Sequence, residues 1–133
     1  TGGCMGGALA FAAAQFVPEL TAAAPFYGTP AREMPWIDKT KIRILVQYHT
    51  GQLDNIRGFS CPDSAVTVWN AMKAAGCDIE LYMYEDTPHS FLNAQTGEGI
   101  QFLIKWEYDV PPPEQLELAV QRLMAFFDKH LRA

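Results

Sequence analysis

The sequence lacks the features that nucleic-acid-binding and membrane-spanning proteins require. Basic residues are few: ten Lys and Arg stand against fifteen Asp and Glu, giving a formal net charge of −5. No cluster of cations suggests a nucleic-acid surface. The longest apolar runs, 8–16 and 42–46, fall well short of the roughly 20 residues that a membrane span needs. We therefore expect neither nucleic acid nor a membrane as a partner.

Cysteine is scarce and follows no metal-binding pattern. The three cysteines, Cys4, Cys61 and Cys77, include no CxxC pair and no Cys/His spacing typical of zinc sites. Because three cysteines cannot all pair as disulfides and show no disulfide framework, we expect reduced thiols. Acidic residues within 98–109 lack a histidine and regular spacing, so we interpret them as solvated charges rather than calcium ligands. We predict no metal and no organic cofactor.

No basic segment followed by an apolar run marks a signal peptide in the sequence. By default we expect a cytoplasmic protein, an assignment that an export signal upstream of Thr1 would overturn. Internal repeats and low-complexity segments are also absent. The hydrophobic content of 49% over 133 residues can supply a core for one domain, 1–133.

What the chain does contain is an alternation of helix-like and strand-like segments. Apolar residues at helical spacing, and an Ala-rich run, predict helices; short β-rich runs closed by turn residues predict strands. The helices are predicted over 8–15, 62–75 and 116–127, and the strands over 20–26, 42–46 and 79–84. The segment 93–113 has little periodicity and predicts a long loop. This order is typical of an α/β fold with a parallel sheet.

The first seven residues carry the strongest chemical motif. Gly2-Gly3-Cys4-Met5-Gly6-Gly7 has the form G-x-C-x-G-G, the cysteine version of the nucleophile elbow G-x-S-x-G. Side chains at the flanking glycines would collide with neighbouring backbone in such a turn. The helix that follows would favour the Cys4 thiolate, and the Met5 backbone N–H would face a developing oxyanion. The alternative is that Cys4 is a structural thiol in a glycine-rich turn.

Partners for this cysteine follow in the order that α/β-hydrolases use. Asp54 lies after the second predicted strand and His89 directly after the third, which is the order nucleophile, acid, base. We predict that Cys4 attacks a carbonyl, that His89 moves the proton, and that Asp54 orients the imidazole. Asp63 is the alternative acid, although its position better suits support of a helix start.

The remaining histidines and cysteines favour structural interpretations. His49 is typical of a strand-end side chain with its hydrogen bonds satisfied, and His130 suits the C-terminus of the last helix, where a cation is favourable. Cys61 is interpreted as a loop thiol and Cys77 as a residue beside a helix stop. A buried structural role is also the alternative for His89.

At these residues the sequence resembles the dienelactone hydrolase (carboxymethylenebutenolidase) family of the α/β-hydrolase superfamily. The similar segments are, in chain order, 2–7, 26–28, 51–54, 84–91 and 124–131. The family holds its substrate carboxylate with an arginine shortly after the catalytic histidine. Asn93 stands at the matching position here and is a candidate substrate-binding residue, which argues against dienelactone itself as the substrate.

The resemblance implies the C-terminal part of a three-layer α/β-hydrolase, from the elbow onward. We expect the strand that leads into Cys4, and the elements before it, to lie upstream of Thr1. The implied activity is hydrolysis of a small ester, lactone or thioester without a cofactor. The alternatives are a carboxylesterase or thioesterase of other specificity, and a non-catalytic half-domain that self-associates through an exposed sheet edge or pairs with a missing N-terminal half.

Overall fold

The computed structural model describes residues 1–132 and confirms the predicted α/β fold. All strand pairs in this range are parallel and belong to one sheet. The strands are β1 (Gly2–Gly3), β2 (Ala22–Ala23), β3 (Pro25–Phe26), β4 (Leu45–Gly51) and β5 (Ile79–Tyr84). The helices are α1 (Met5–Phe16), α2 (Pro62–Ala74), α3 (Gly97–Lys105) and α4 (Pro113–Leu131). No helix in the described range has both the length and the apolar character needed to cross a bilayer.

Short strands β2 and β3 act as one interrupted strand beside β4. Ala22 pairs with Leu45 and Phe26 pairs with His49, so both pieces lie on β4 in the same register. The edge of β3 that faces away from β4 pairs with β1. The opposite edge of β4 pairs with β5. The long central strand β4 therefore carries most of the sheet.

Helices cover both faces of the sheet, which gives three layers. Side chains alternate in direction along a strand, and β4 accordingly sends Val46 and Tyr48 towards α1 and α2 while Leu45 faces α4. The first face is filled by α1 and α2 residues such as Phe11 and Met72. The opposite face is filled from α4 and from the segment after β5, with side chains that include Tyr84, Phe91, Ala119 and Phe126.

Three expectations from the sequence differ from the structure. The long loop predicted over 93–113 is wrong for Gly97–Lys105, which form α3 with the Thr96 side chain accepting the Gly99 N–H at 3.0 Å. This helix is only nine residues long and begins with Gly97 and Gly99, which disfavour a helix, so the sequence carries little sign of it. The predicted strand 42–46 lies instead at Leu45–Gly51, because polar Gln47 and His49 are buried there.

The third difference lies directly before Cys4. We expected the strand that leads into this residue to lie upstream of the chain, but Gly2–Gly3 already form β1 and pair with Pro25–Phe26. The Cys4 N–H continues this ladder by donating to the Phe26 carbonyl at 3.1 Å. A short strand of this same chain therefore enters the turn at Cys4.

His49 is a fully buried histidine at the centre of the sheet. Its ring stacks on Phe26 with centroids 4.1 Å apart, and its nitrogens lie 2.8 Å from the Tyr84 hydroxyl and 2.9 Å from Gln47 Oε1. An amide oxygen only accepts, so we assign the proton to Nε2, and Nδ1 then accepts from Tyr84. Burial, helped by the nearby Arg122 guanidinium, lowers the pKa of His49 to about 3.

Gly28 passes directly beneath the turn that carries Cys4. A Cβ on this residue would lie 1.9 Å from the Cys4 carbonyl oxygen and 3.2 Å from the Ala8 nitrogen. That carbonyl already accepts the N–H groups of Gly7 and Ala8, which begin α1. The absence of a side chain at Gly28 therefore allows the segment after β3 to lie against the turn at Cys4.

We expect Gly28→Ala to lower the free energy of unfolding by about 2 to 3 kcal/mol, because backbone has to move to admit a methyl group. Gly97→Ala is the matched control, since a Cβ there meets nothing within 4 Å. Its free energy of unfolding should stay unchanged or rise by up to about 1 kcal/mol. Urea unfolding of the two full-length variants measures both, and equal effects would contradict the close contact at Gly28.

The neutral state of His49 predicts a loss of stability in acid. Below its ordinary pKa of 6.5 the unfolded chain binds a proton at this residue, whereas the folded chain does so only near pH 3. The free energy of unfolding therefore falls by about 1.4 kcal/mol per pH unit across that window on account of His49. In His49→Gln this slope should be shallower by up to that amount. Chemical denaturation between pH 7 and pH 4 checks the slopes, and parallel slopes would refute the assignment.

Candidate active site

Three polar side chains meet where β1, β4 and β5 end. His89 Nε2 lies 3.1 Å from Cys4 Sγ, and His89 Nδ1 lies 2.7 Å from Asp54 Oδ2. Cys4 follows β1, Asp54 follows β4, and His89 follows β5. The carboxyl ends of parallel strands share one edge of a sheet, which is where ligands bind in open α/β folds. The structure thus brings together the three residues that the sequence analysis selected.

Cys4 occupies a strained backbone conformation between β1 and α1. Its φ of 57° and ψ of −121° are rare for a residue with a side chain, and such strain is concentrated at functional sites. A Cβ on Gly2 would approach the Gly6 carbonyl oxygen to 2.4 Å, and one on Gly7 would approach the Phe26 oxygen equally closely. A Cβ on Gly6 meets nothing within 4 Å, so steric necessity explains two of these three glycines.

Exposure differs sharply within the group. Asp54 and His89 are each only 3% exposed, whereas Cys4 is partly accessible. The thiol precedes the first turn of α1, whose leading N–H groups have no acceptor inside the helix. Met5 is the first residue of that turn, so its backbone N–H has no acceptor inside the helix. A small molecule could therefore reach the sulfur while the other two groups stay shielded from water.

The hydrogen bonds determine which nitrogen of His89 holds the proton. An ionised Asp54 can only accept, so we assign the proton on Nδ1 to the bond with Oδ2. Nε2 then presents its lone pair to Cys4 Sγ and can receive the thiol proton. The other carboxylate oxygen, Oδ1, accepts the Ile56 N–H at 3.1 Å and the Ser60 hydroxyl at 2.8 Å. This arrangement can generate a thiolate beside an imidazolium.

Aromatic rings surround the imidazole. The ring centroids of Tyr27, Tyr108 and Phe59 lie 5.2, 5.9 and 6.4 Å from that of His89. Tyr27 has a positive φ of 35° and is buried, and burial raises the pKa of its hydroxyl. Burial, followed by the nearby charges of Asp54 and Cys4, also raises the pKa of Tyr108.

Sequence reasoning missed Ser60 and Tyr108 at this site. Tyr108 lies in the segment predicted as a long loop, and Ser60 lies in a turn, where a serine is common. A signal existed only for Tyr27, which belongs to the segment 26–28 that resembles the family. The other two depend on how the chain folds back over the sheet edge.

The alternative candidates lie elsewhere or serve local structure. Asp54, rather than Asp63, contacts His89, and Asp63 is exposed in the first turn of α2. Asn93 is exposed, and its side-chain amide donates to the Ser90 carbonyl at 3.0 Å. His130 lies in the last turn of α4, as its sequence position suggested.

The two other thiols are buried. Cys77 Sγ lies 3.5 Å from the Thr40 carbonyl oxygen. Cys61 precedes α2 as its N-cap residue. Burial alone would raise the pKa of the Cys61 thiol, but hydrogen bonds from the Ser64 side chain and from neighbouring backbone N–H groups outweigh it and lower the pKa. Within residues 1–132 no group of three or more His, Cys, Asp or Glu side chains has the arrangement needed to hold a metal ion.

The sequence matches the model of one known protein family. The model of the dienelactone hydrolase family matches residues 1–131, which is almost the whole chain. No protein of curated function matches the chain in sequence. The family match covers the turn at Cys4, the loop of Asp54 and the segment of His89 together.

Solved structures of similar fold include hydrolases of about twice the length. A candidate dienelactone hydrolase from Klebsiella pneumoniae subsp. pneumoniae is 23% identical with a TM-score of 0.71, over 97% of this chain and 50% of that chain. A dienelactone hydrolase-like promiscuous phosphotriesterase from metagenomic libraries is 19% identical with a TM-score of 0.72, over the same shares. An esterase from Thermogutta terrifontis, solved with propionate bound, is 22% identical with a TM-score of 0.57, over 94% and 54%. The chain spans about half the length of these structures.

The geometry predicts that Cys4 is the more reactive of two comparable thiols. Cys4 is partly exposed with an imidazole 3.1 Å away, whereas Cys77 is 6% exposed and faces backbone carbonyls. Iodoacetamide should therefore modify Cys4 at least about tenfold faster than Cys77, and His89→Ala should slow only Cys4. Peptide mass spectrometry after timed quenching measures both rates. Equal rates at Cys4 with and without the imidazole would contradict the pairing.

Proposed function

Because the chain belongs to the dienelactone hydrolase family, we propose that the full-length protein hydrolyses small carboxylic esters, lactones or thioesters. Cys4 is the nucleophile, His89 the general base and acid, and Asp54 the residue that orients the imidazole and stabilises its charged form. The observation that carries this proposal is the contact series from Cys4 Sγ through His89 to Asp54, at 3.1 and 2.7 Å. No metal or organic cofactor is needed for this chemistry.

In the first half of the reaction, His89 Nε2 takes the thiol proton and the Cys4 thiolate attacks the substrate carbonyl carbon. The carbonyl oxygen becomes an oxyanion, for which the Met5 N–H is our candidate donor because it leads a helix and lacks an internal acceptor. The Asp54 carboxylate stabilises the imidazolium through Nδ1. The intermediate collapses as His89 returns the proton to the leaving alkoxide or thiolate, which leaves a thioester on Cys4.

In the second half, water attacks the thioester after the alcohol or thiol has departed or, for a lactone, while the freed hydroxyl remains on the acyl chain. His89 Nε2, now without its proton, takes one from the water as the oxygen attacks the thioester carbonyl. The second oxyanion collapses by expelling the Cys4 thiolate, and the proton on His89 returns to the sulfur. The products are a carboxylic acid and the restored thiol, so atoms and charges balance.

The surroundings favour uncharged substrates of modest size. Tyr27, Phe59 and Tyr108 place aromatic surface around the imidazole, which suits an apolar acyl or alkoxy group. Position 93, where the family has an arginine that holds a substrate carboxylate, is an asparagine and offers no positive charge. The propionate and butyrate held by the Thermogutta terrifontis esterase are acids of suitable size. We therefore propose short-chain esters, lactones or thioesters in preference to dienelactone.

Full-length protein assayed with a p-nitrophenyl ester should lose at least about a thousandfold in kcat/KM in Cys4→Ala and in His89→Ala. Cys77→Ala is the matched control and should retain the wild-type rate, because that thiol lies away from the site. Rapid acid quench followed by intact mass measurement should show an acyl group on Cys4 in the wild type. Retained hydrolysis in Cys4→Ala would refute the nucleophile, and a wild-type protein with neither turnover nor adduct would favour the non-catalytic alternative.

A further inference from the structure

We propose that Ser60 is a positioning residue for the acid–base pair, a role that rests on the function proposed above. Ser60 is fully buried in the turn before α2. Its hydroxyl oxygen lies 2.8 Å from Asp54 Oδ1 and 3.1 Å from His89 Nδ1. It is therefore within hydrogen-bond distance of both the Asp54 carboxylate and the His89 imidazole.

The direction of these bonds follows from what each group can do. An ionised carboxylate only accepts, so the Ser60 O–H donates to Asp54 Oδ1. The serine oxygen then turns its lone pairs towards His89, whose Nδ1–H is shared between Asp54 Oδ2 at 2.7 Å and Ser60 Oγ at 3.1 Å. With two acceptors facing Nδ1, the proton is held there and Nε2 stays free for Cys4.

The backbone holds Ser60 in this position from two sides. Its N–H donates to the Ile56 carbonyl at 3.0 Å, and its carbonyl accepts the Thr50 hydroxyl at 2.8 Å. Thr50 belongs to β4 and is itself fully buried. Ile56 also donates its N–H to Asp54 Oδ1. The turn 54–60 thus closes around the carboxylate, and the sheet fixes its far end.

This placement defines which step Ser60 influences. It lies on the Nδ1 side of the imidazole, whereas the Cys4 sulfur lies on the Nε2 side. Loss of the hydroxyl would leave the buried carboxylate with two donors instead of three, and Oδ1 would then be held by the Ile56 N–H alone. The step that suffers is formation of the imidazolium, and substrate binding near Cys4 is not directly touched.

Ser60→Ala in the full-length protein should lower kcat for a p-nitrophenyl ester by about 10- to 100-fold and change KM by no more than about twofold. Thr29→Val is the matched control. Thr29 is also buried and its hydroxyl donates to the carbonyl of Phe59, next to Ser60, without contacting Asp54 or His89. This variant should keep kcat within about threefold of the wild type.

A double-mutant cycle separates positioning from general support of the fold. If Ser60 acts through the carboxylate, Ser60→Ala should cost less than about threefold in an Asp54→Asn background, because the group that it orients is gone. Equal losses in the two backgrounds, or a loss in Thr29→Val as large as in Ser60→Ala, would overturn the proposal. Should Ser60→Ala fail to fold, Ser60→Cys keeps the side-chain size with a weaker donor, and wild-type kcat in that variant would equally overturn it.

Iodoacetamide labelling of Cys4 distinguishes this proposal from the function on which it rests. Ser60→Ala should slow Cys4 alkylation about tenfold, and Thr29→Val should not, whether or not any ester is hydrolysed. Ester turnover that survives in Cys4→Ala refutes the proposed function and leaves this labelling result intact. Unchanged labelling in Ser60→Ala refutes the positioning role and leaves the Cys4 and His89 assignments intact.

Discussion

The parallel direction of β1, β4 and β5 is the constraint on which the site depends. Because these strands run the same way, the residues that follow them emerge at one edge, and side chains 35 and 85 positions apart in the chain come within hydrogen-bond distance. β4 is the central strand of this arrangement, since it pairs with β2, β3 and β5. A reversed strand would send Asp54 or His89 to the opposite edge of the sheet.

The edge also carries residues with strained backbone conformations. Cys4, Tyr27 and Ser90 all have positive φ values, and each lies at or beside the site. Conformations of this kind cost about 1 to 3 kcal/mol each and persist only where packing enforces them. Here Gly28 lets the strand below approach the Cys4 turn, and Tyr27 and Phe91 pack in the core between the sheet and α4. The strain at the thiol is therefore supported by the same residues that close the fold.

Two buried histidines show how neighbours decide what a side chain does. His49 is bonded to an amide oxygen and a phenol and lies among aromatic rings, so it remains neutral and supports the sheet. His89 faces a carboxylate on one nitrogen and a partly exposed thiol on the other. A carboxylate can stabilise a proton that moves onto the ring, whereas an amide cannot do so to the same extent. This difference separates a structural histidine from a candidate base.

The sequence by itself determined the fold class, the positions of α2 and β5, and the choice of Cys4, Asp54 and His89 as candidates. These features are local: periodicity within ten or so residues, glycines around one cysteine, and polar residues placed just after strands. Strand β4 is displaced in the prediction because the buried polar side chains of Gln47 and His49 depend on Glu80 and Tyr84 of the neighbouring strand β5, and the local pattern carries no sign of those partners. Helix α3 was missed because it is only nine residues long and begins with two glycines, which disfavour a helix.

Only the tertiary structure decided the contacts that turn the candidates into a site. The place of Ser60 behind Asp54, the choice of Asp54 over Asp63, and the rings around His89 all depend on segments far apart in sequence that fold over one edge. A serine in a turn or a tyrosine in an irregular segment carries no local sign of its partner. A hydrogen bond requires the donor–acceptor distance to be correct to within a few tenths of an ångström. That distance is set by how the helices pack against the sheet.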